Sequence, residues 1–192
     1  MTSRAAAAQI VRTALALRAQ RVLPGTLGNI SMRLDARRVV ITPSSRPYET
    51  MRAEDLPVVA LADGVAKGPF PPSVETPMHC AIYRARPDVH AIVHTHAPAA
   101  TAVGCLGMAL PLQLDEVEYY VGGAVPLAPY APSGSTALAA NVVAALGRRN
   151  AALMTAHGLI TVAPDLAKAQ QIAEAIEHAA QVFLMTRRAA GM

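Results

Sequence analysis

His94 and His96 stand two residues apart in the apolar, β-branched run Ala91-Ile92-Val93-His94-Thr95-His96. Residues two apart on a strand project from the same face, so this spacing brings two imidazoles together. Neutral imidazole suits zinc, iron, nickel or copper, and a catalytic zinc generally keeps three protein ligands and one open position. A pair of hydrogen-bonded structural histidines gives the same pattern. A third ligand would separate the two readings. The best candidate is His157 in Thr155-Ala156-His157-Gly158, which follows an apolar strand and precedes a glycine that permits close backbone approach. By itself this is equally a turn histidine. Glu75, just after Pro71-Pro72-Ser73, falls in the first turn of a helix, where the dipole stabilises a carboxylate. Beside a metal it is a proton-transfer group; otherwise it is an ordinary first-turn glutamate. His79, one turn along, is placed to orient Glu75 or to serve as a core histidine.

The elements that must position these groups are marked by periodicity and by breakers. Ile10, Ala14 and Leu17, widened by Val11 and Leu15, predict a helix from Ser3 to about Arg21, ended by Pro24-Gly25. Asn29 to Arg33 and Arg38 to Thr42 predict a strand pair, and Leu56 to Leu61 a further strand. Ser73 reads as the N-cap of a helix that buries Met78 and Ile82, with Pro77 tolerable only near its start. Ala91 to His96 is a strand, Thr101 to Leu106 a short helix, and Gly123 to Ala128 a strand. Ser133-Gly134-Ser135 caps a helix to Leu146 that Gly147 ends. Ala151 to Thr155 and Leu159 to Val162 form a hairpin, and Pro164 opens a helix through Arg188. Alternating strands and helices without a Gly-rich phosphate loop predict a layered α/β fold and exclude Rossmann and P-loop architectures.

The chain has 192 residues, enough for one domain with a substantial core, and no linker divides residues 1–192. It is 53% hydrophobic and only 4% aromatic, so that core is built from Ala, Val, Leu, Ile and Met. A net charge of +4 suits a small anionic partner. With 16% charged residues and no basic block or stacking aromatics, nucleic-acid binding is not expected. Cys80 and Cys105 lie in apolar settings without metal spacing and read as buried reduced thiols. The N-terminus lacks signal-peptide features and no segment has the length of a membrane span, so a cytoplasmic location is expected.

The segments Gly25-Thr26-Leu27-Gly28-Asn29-Ile30-Ser31, Ile41-Thr42-Pro43-Ser44-Ser45-Arg46-Pro47-Tyr48 and Pro72-Ser73-Val74-Glu75 occur in that order, followed by His79 and Tyr83. The run from Arg86 to His96, then Val125-Pro126-Leu127-Ala128-Pro129-Tyr130 and His157-Gly158-Leu159-Ile160, complete the set. Together they resemble the class II aldolase/adducin family over nearly the whole chain. The resemblance implies an α/β fold: a three-layer α/β/α sandwich around a central, largely antiparallel sheet, assembled as a homotetramer. It implies that His94, His96 and His157 bind zinc, with Mn, Fe or Co as other divalent ions, and that Glu75 moves protons. A substrate phosphate would be held by Asn29, Ser44, Ser45 and Ser73, with Gly28 allowing close backbone approach.

Such a metal polarises a ketose carbonyl and stabilises the enediolate left when a C–C bond breaks. The resemblance therefore implies a metal-dependent aldolase cleaving a small, phosphorylated ketose. The same site can serve a sugar-acid decarboxylase, a pentulose-phosphate epimerase or a dehydratase. The family's adducin branch, a non-catalytic interaction module, fits less well because all three histidines and Glu75 are in place. Three departures bear on the substrate. Val74 stands where the family commonly has a second serine, Asp115 stands where an aldolase tyrosine is expected, and a tyrosine-bearing tail is not found before Met192. Asp115 and Glu116 would bind substrate hydroxyls or face a subunit contact, with Tyr119 and Tyr120 as stand-ins for the tyrosines.

Overall fold

The computed structural model describes residues 2–191. Helix α1 (Ser3–Ala19) begins where Thr2 accepts a hydrogen bond from the Ala5 N–H. It buries Ile10, Ala14 and Leu17 as their spacing predicts, while Leu15 faces water. Strands β1 (Asn29–Arg33) and β2 (Arg38–Ile41) form the expected hairpin, whose turn is held by Asp35 accepting from Arg37 N–H and pairing with Arg38. The run 56–61 retains only β3 (Val58–Ala60), because Pro57 has no N–H and a 3-10 turn at Ala53–Asp55 leads into it. A short strand, β4 (Ala66–Lys67), pairs with β3 and was not anticipated.

Helix α2 (Thr76–Ala85) starts later than expected. Ser73 does not cap it; its hydroxyl accepts from Glu75 N–H in the turn before, and Glu75 occupies the cap position without a capping bond. Strand β5 (Ala91–Thr95) is buried throughout. Helix α3 (Pro98–Cys105) begins earlier than Thr101 because proline suits a first helical position. Cys105 at its end is exposed, correcting the expectation of two buried thiols; Cys80 is buried.

Helix α4 (Asp115–Val121) was missed, although an acidic first turn, Val117 and Val121 at helical spacing and a left-handed Gly122 all mark it. The strand expected over 123–128 shrinks to β6 (Leu127–Ala128), because Gly123 takes a positive φ and Pro126 cannot donate. Helix α5 (Thr136–Leu146) is capped by Ser135 and ended by Gly147, and β7 (Ala151–Met154) and β8 (Gly158–Ala163) form the expected hairpin. Helix α6 (Leu166–Ala189) is capped by Asp165, one residue after the proline that opens it.

The sheet has the order β4-β3-β2-β1-β5-β8-β7-β6, antiparallel throughout except for the β6–β7 pair. One face packs on α1, α3, α4 and α6; the other packs on α2 and α5. This is the expected three-layer α/β/α sandwich. Strand β5 lies between β1 and β8, with His94 opposite Asn29 on one side and Ile160 on the other. Side-chain alternation sends Ile92 and His94 toward α2, and Val93 and Thr95 toward the α3–α6 side.

Glu177 of α6 is buried, and its two carboxylate oxygens accept from Ala99 N–H and Ala100 N–H, each at 2.9 Å. A carboxylate supplied by another helix thus satisfies the start of α3, just after the His94-Thr95-His96 segment. Glu177→Ala leaves both donors buried without an acceptor and is expected to cost about 2–3 kcal/mol in urea unfolding, with Glu177→Gln losing less.

Candidate metal centre and its pocket

His94, His96 and His157 form a near-equilateral group, with every pair of ring centroids 4.9 Å apart. His94 lies one residue before the end of the buried strand β5, and its Nδ1 lies 2.9 Å from the Leu159 carbonyl. A carbonyl only accepts, so Nδ1 is the donor and Nε2 is the nitrogen turned inward. The Nε2 atoms of His94 and His96 are 3.1 Å apart. His157 comes from the β7–β8 turn, where Ala156 adopts a left-handed φ of 52°.

Two glycines make room for this. A Cβ on Gly28 would lie 2.4 Å from the His94 carbonyl oxygen, and one on Gly158 would lie 2.3 Å from the Thr95 carbonyl oxygen. Gly28 also has a φ of +91°, which favours glycine. The end of β5 is therefore gripped from both neighbouring strands at the two positions that aim the histidines.

Glu75 is 3% exposed, yet its carboxylate touches the imidazole group. Oε2 lies 2.9 Å from His94 Nε2 and accepts from Asn29 Nδ2, while Oε1 lies 3.1 Å from His157 Nε2 and accepts from Ser133 Oγ. Burial alone would raise this carboxyl. The charge of His94 and hydrogen bonds from His157 and His94 outweigh that and hold it well below the usual carboxylate range. Burial, then the charges of His94 and His157, lowers His96 to about 4, so its ring is neutral at pH 7, as a metal ligand must be.

The donor set fits a divalent ion. With His94 Nδ1 committed to Leu159, the inward Nε2 faces a Glu75 carboxylate oxygen at 2.9 Å, a contact that a proton or a divalent ion between them satisfies. Ligands about 2.0–2.1 Å from a tetrahedral zinc lie roughly 3.3 Å from one another, close to the 3.1 Å between the His94 and His96 Nε2 atoms. The three imidazoles could supply three ligand atoms, and Glu75 could supply an oxygen for a fourth.

A cavity of about 360 Å³ opens over this centre. It is lined by Gly28, Asn29, Ser44, Ser45 and Ser73, and also by Glu75, His96 and His157, so the residues expected from distant segments meet in one place. Val74 stands exposed at its mouth. Asn29 spends its amide on Glu75. His79 does not orient Glu75: its Nδ1 bonds Ser31 Oγ at 2.7 Å, Ser31 bonds Tyr83, and burial and then the His94 charge lower it to about 3. Asp115, Glu116, Tyr119 and Tyr120 lie on α4, where Lys168 of α6 sits over both tyrosine rings; none lines this cavity. A wider groove of about 1250 Å³ lies at the far end of β1, but there Arg33 is committed to backbone carbonyls and Arg38 to Asp35.

Arg46 and Ser133 also line the cavity and were not singled out. Arg46 follows two serines in a loop, which was a readable anion-binding signal. Ser133 was read only as part of a cap, and its bond to Glu75 spans 58 residues of sequence.

The profile of the Class II Aldolase and Adducin N-terminal domain matches residues 8–184. The chain belongs to the class II aldolase and adducin family. It is 37% identical over 183 residues to the L-fuculose phosphate aldolase of Escherichia coli K12, covering 94% of this chain and 83% of that protein. It is also 37% identical over 164 residues to the 5-deoxy-D-ribulose 1-phosphate aldolase of Bacillus thuringiensis serovar kurstaki, covering 85% and 76%. A solved L-fuculose 1-phosphate aldolase superposes with a TM-score of 0.93 at 30% identity, covering 98% of this chain and 89% of that one. The activity class is that of an aldolase, a carbon–carbon lyase. Among the described residues of this class II aldolase, no helix is long and apolar enough to cross a membrane.

Gly158→Ala tests the grip on β5. Its Cβ meets backbone at 2.3 Å and the rings of His94 and His96 at 3.3 Å, so the histidines must shift. We expect metal affinity to fall on the order of tenfold or more, measured by titrating metal-free protein with Zn²⁺.

Proposed function

We propose that this class II aldolase cleaves a small, 1-phosphorylated ketose into a three-carbon ketone phosphate and an aldehyde. His94, His96 and His157 are its metal ligands and Glu75 its proton-transfer group. The observation that carries this reading is the placement of the Glu75 carboxylate, 2.9 Å from His94 Nε2, on the floor of a cavity lined by Ser44, Ser45 and Ser73. When bound, a divalent ion supplies Lewis acidity for the negative charge that develops on the substrate oxygens; zinc suits the donor set, with Mn, Fe or Co as alternatives.

The serine hydroxyls of the 44–45 loop and Ser73 suit a phosphate, which accepts hydrogen bonds and carries negative charge, and Arg46, whose Nη2 pairs with Asp55 at 3.4 Å, lines the same cavity. Anchoring that end of the ketose fixes its reacting carbons over Glu75. Retro-aldol cleavage takes a proton from a hydroxyl and returns one to carbon. Glu75, held in its charged form and aimed by Asn29 and Ser133, is the group that carries protons at that centre. Exposed Leu27, Val74 and Tyr130 ring the cavity mouth, an apolar rim that suits a subunit contact in a cytoplasmic homotetramer.

The assay is release of dihydroxyacetone phosphate from a panel of ketose 1-phosphates by metal-loaded protein. Glu75→Gln is expected to lower kcat by about a hundredfold or more while metal content stays intact. His94→Ala is expected to lose the metal. Metal-loaded protein that released no ketone phosphate but evolved CO₂ from a sugar acid would instead be a decarboxylase.

A further inference from the structure

We propose that Ser133 is a positioning residue for Glu75, its hydroxyl fixing the plane of the carboxylate that meets the substrate. The proposal rests on the role given to Glu75 above. Each carboxylate oxygen has one imidazole and one neutral donor: His94 and Asn29 for Oε2, His157 and Ser133 for Oε1. Asn29 belongs to β1 and is fixed by the sheet register, but it pins a single oxygen. The terminal torsion of a glutamate is soft and roughly two-fold, so one donor leaves the plane free to turn about the pinned oxygen. Ser133, 2.9 Å from Oε1, holds the second oxygen together with His157, and would be the donor left there once the His157 nitrogen bound a metal ion.

The loop is built to bring the hydroxyl there. Gly134 has a φ of +76°, and a Cβ on it would lie 2.8 Å from the Val74 carbonyl oxygen, so the loop backbone seats directly on the residue before Glu75. Ser135 then caps α5 through Leu138 N–H and anchors the loop to a helix whose Leu138, Ala139, Val142 and Leu146 are buried. Three consecutive residues thus register α5 against the start of α2, and Ser133 is the one that reaches the carboxylate.

The test compares Ser133→Ala and Ser133→Thr in the full chain. One readout is kcat and KM on the ketose phosphate turned over best. The other is the visible spectrum of Co²⁺ bound to metal-free protein, which reports the ligand geometry without turnover. For Ser133→Ala we expect kcat to fall on the order of tenfold with KM within about twofold, and Ser133→Thr to recover most of the loss. The Co²⁺ band should move in Ser133→Ala and return in Ser133→Thr. Wild-type kcat in Ser133→Ala, or a raised KM with kcat unchanged, overturns the proposal, the latter because it marks a substrate contact. If wild-type protein cleaves no ketose phosphate, the aldolase reading fails separately and the cobalt band decides: a shift reversed by threonine supports the positioning role, and an unmoved band refutes it.

Discussion

A carboxylate shut away from water is stable 2.9 Å from His94 Nε2 only where positive charge, from a proton or a metal ion, faces it. Glu75 and the histidine group therefore form one electrostatic unit, and the local structure follows from holding it together. The Leu159 carbonyl fixes the His94 ring through Nδ1, burial keeps His96 neutral, and Asn29 and Ser133 each give one carboxylate oxygen a second partner beside its imidazole. All of these contacts are consistent with a divalent ion at the centre.

That unit is assembled by backbone as much as by side chains. Strand β5 can carry His94 into the centre only because β1 and β8 approach it without a Cβ at Gly28 and Gly158. Layering then divides the labour. Helix α2 brings Glu75 from one side of the sheet, while Glu177 of α6 secures the start of α3 from the other. The serine loop after β2 and the loop before α5 close over the top, so the cavity has a charged floor and hydroxyl walls. Such a lining selects for a small anion rich in oxygen and offers little to an apolar ligand.

The sequence was legible where local pattern carries the information. Period-two and period-3.6 spacing placed most of the strands and helices, and the ordered motifs pointed to the family, the sandwich and the metal-ligand set. It was misleading where backbone chemistry competes with pattern: Pro57 and Pro126 trimmed strands that composition alone extends, and the helix after Ser73 began only once Glu75 had turned toward the histidines. Helix α4 carried its own signals and could have been read. Its acidic residues and tyrosines could not have been placed, because only the packing of α4 against α6 keeps them out of this cavity.

By itself the sequence determined which residues have the chemistry: imidazoles two apart on a strand, a third beside a glycine, a carboxylate near a helix start, and serines in a loop. Those are properties of residue type and short spacing, and they survive without coordinates. Only the tertiary structure decided which of them act together. The strand register put Asn29 opposite His94, the seating of Gly134 on Val74 delivered Ser133 to Glu75, and His79 turned to Ser31. These pairings join residues 46 to 65 positions apart, as with Asn29 to Glu75 and His94 to Leu159. They are settled by how strands and layers pack, and no local spacing encodes them.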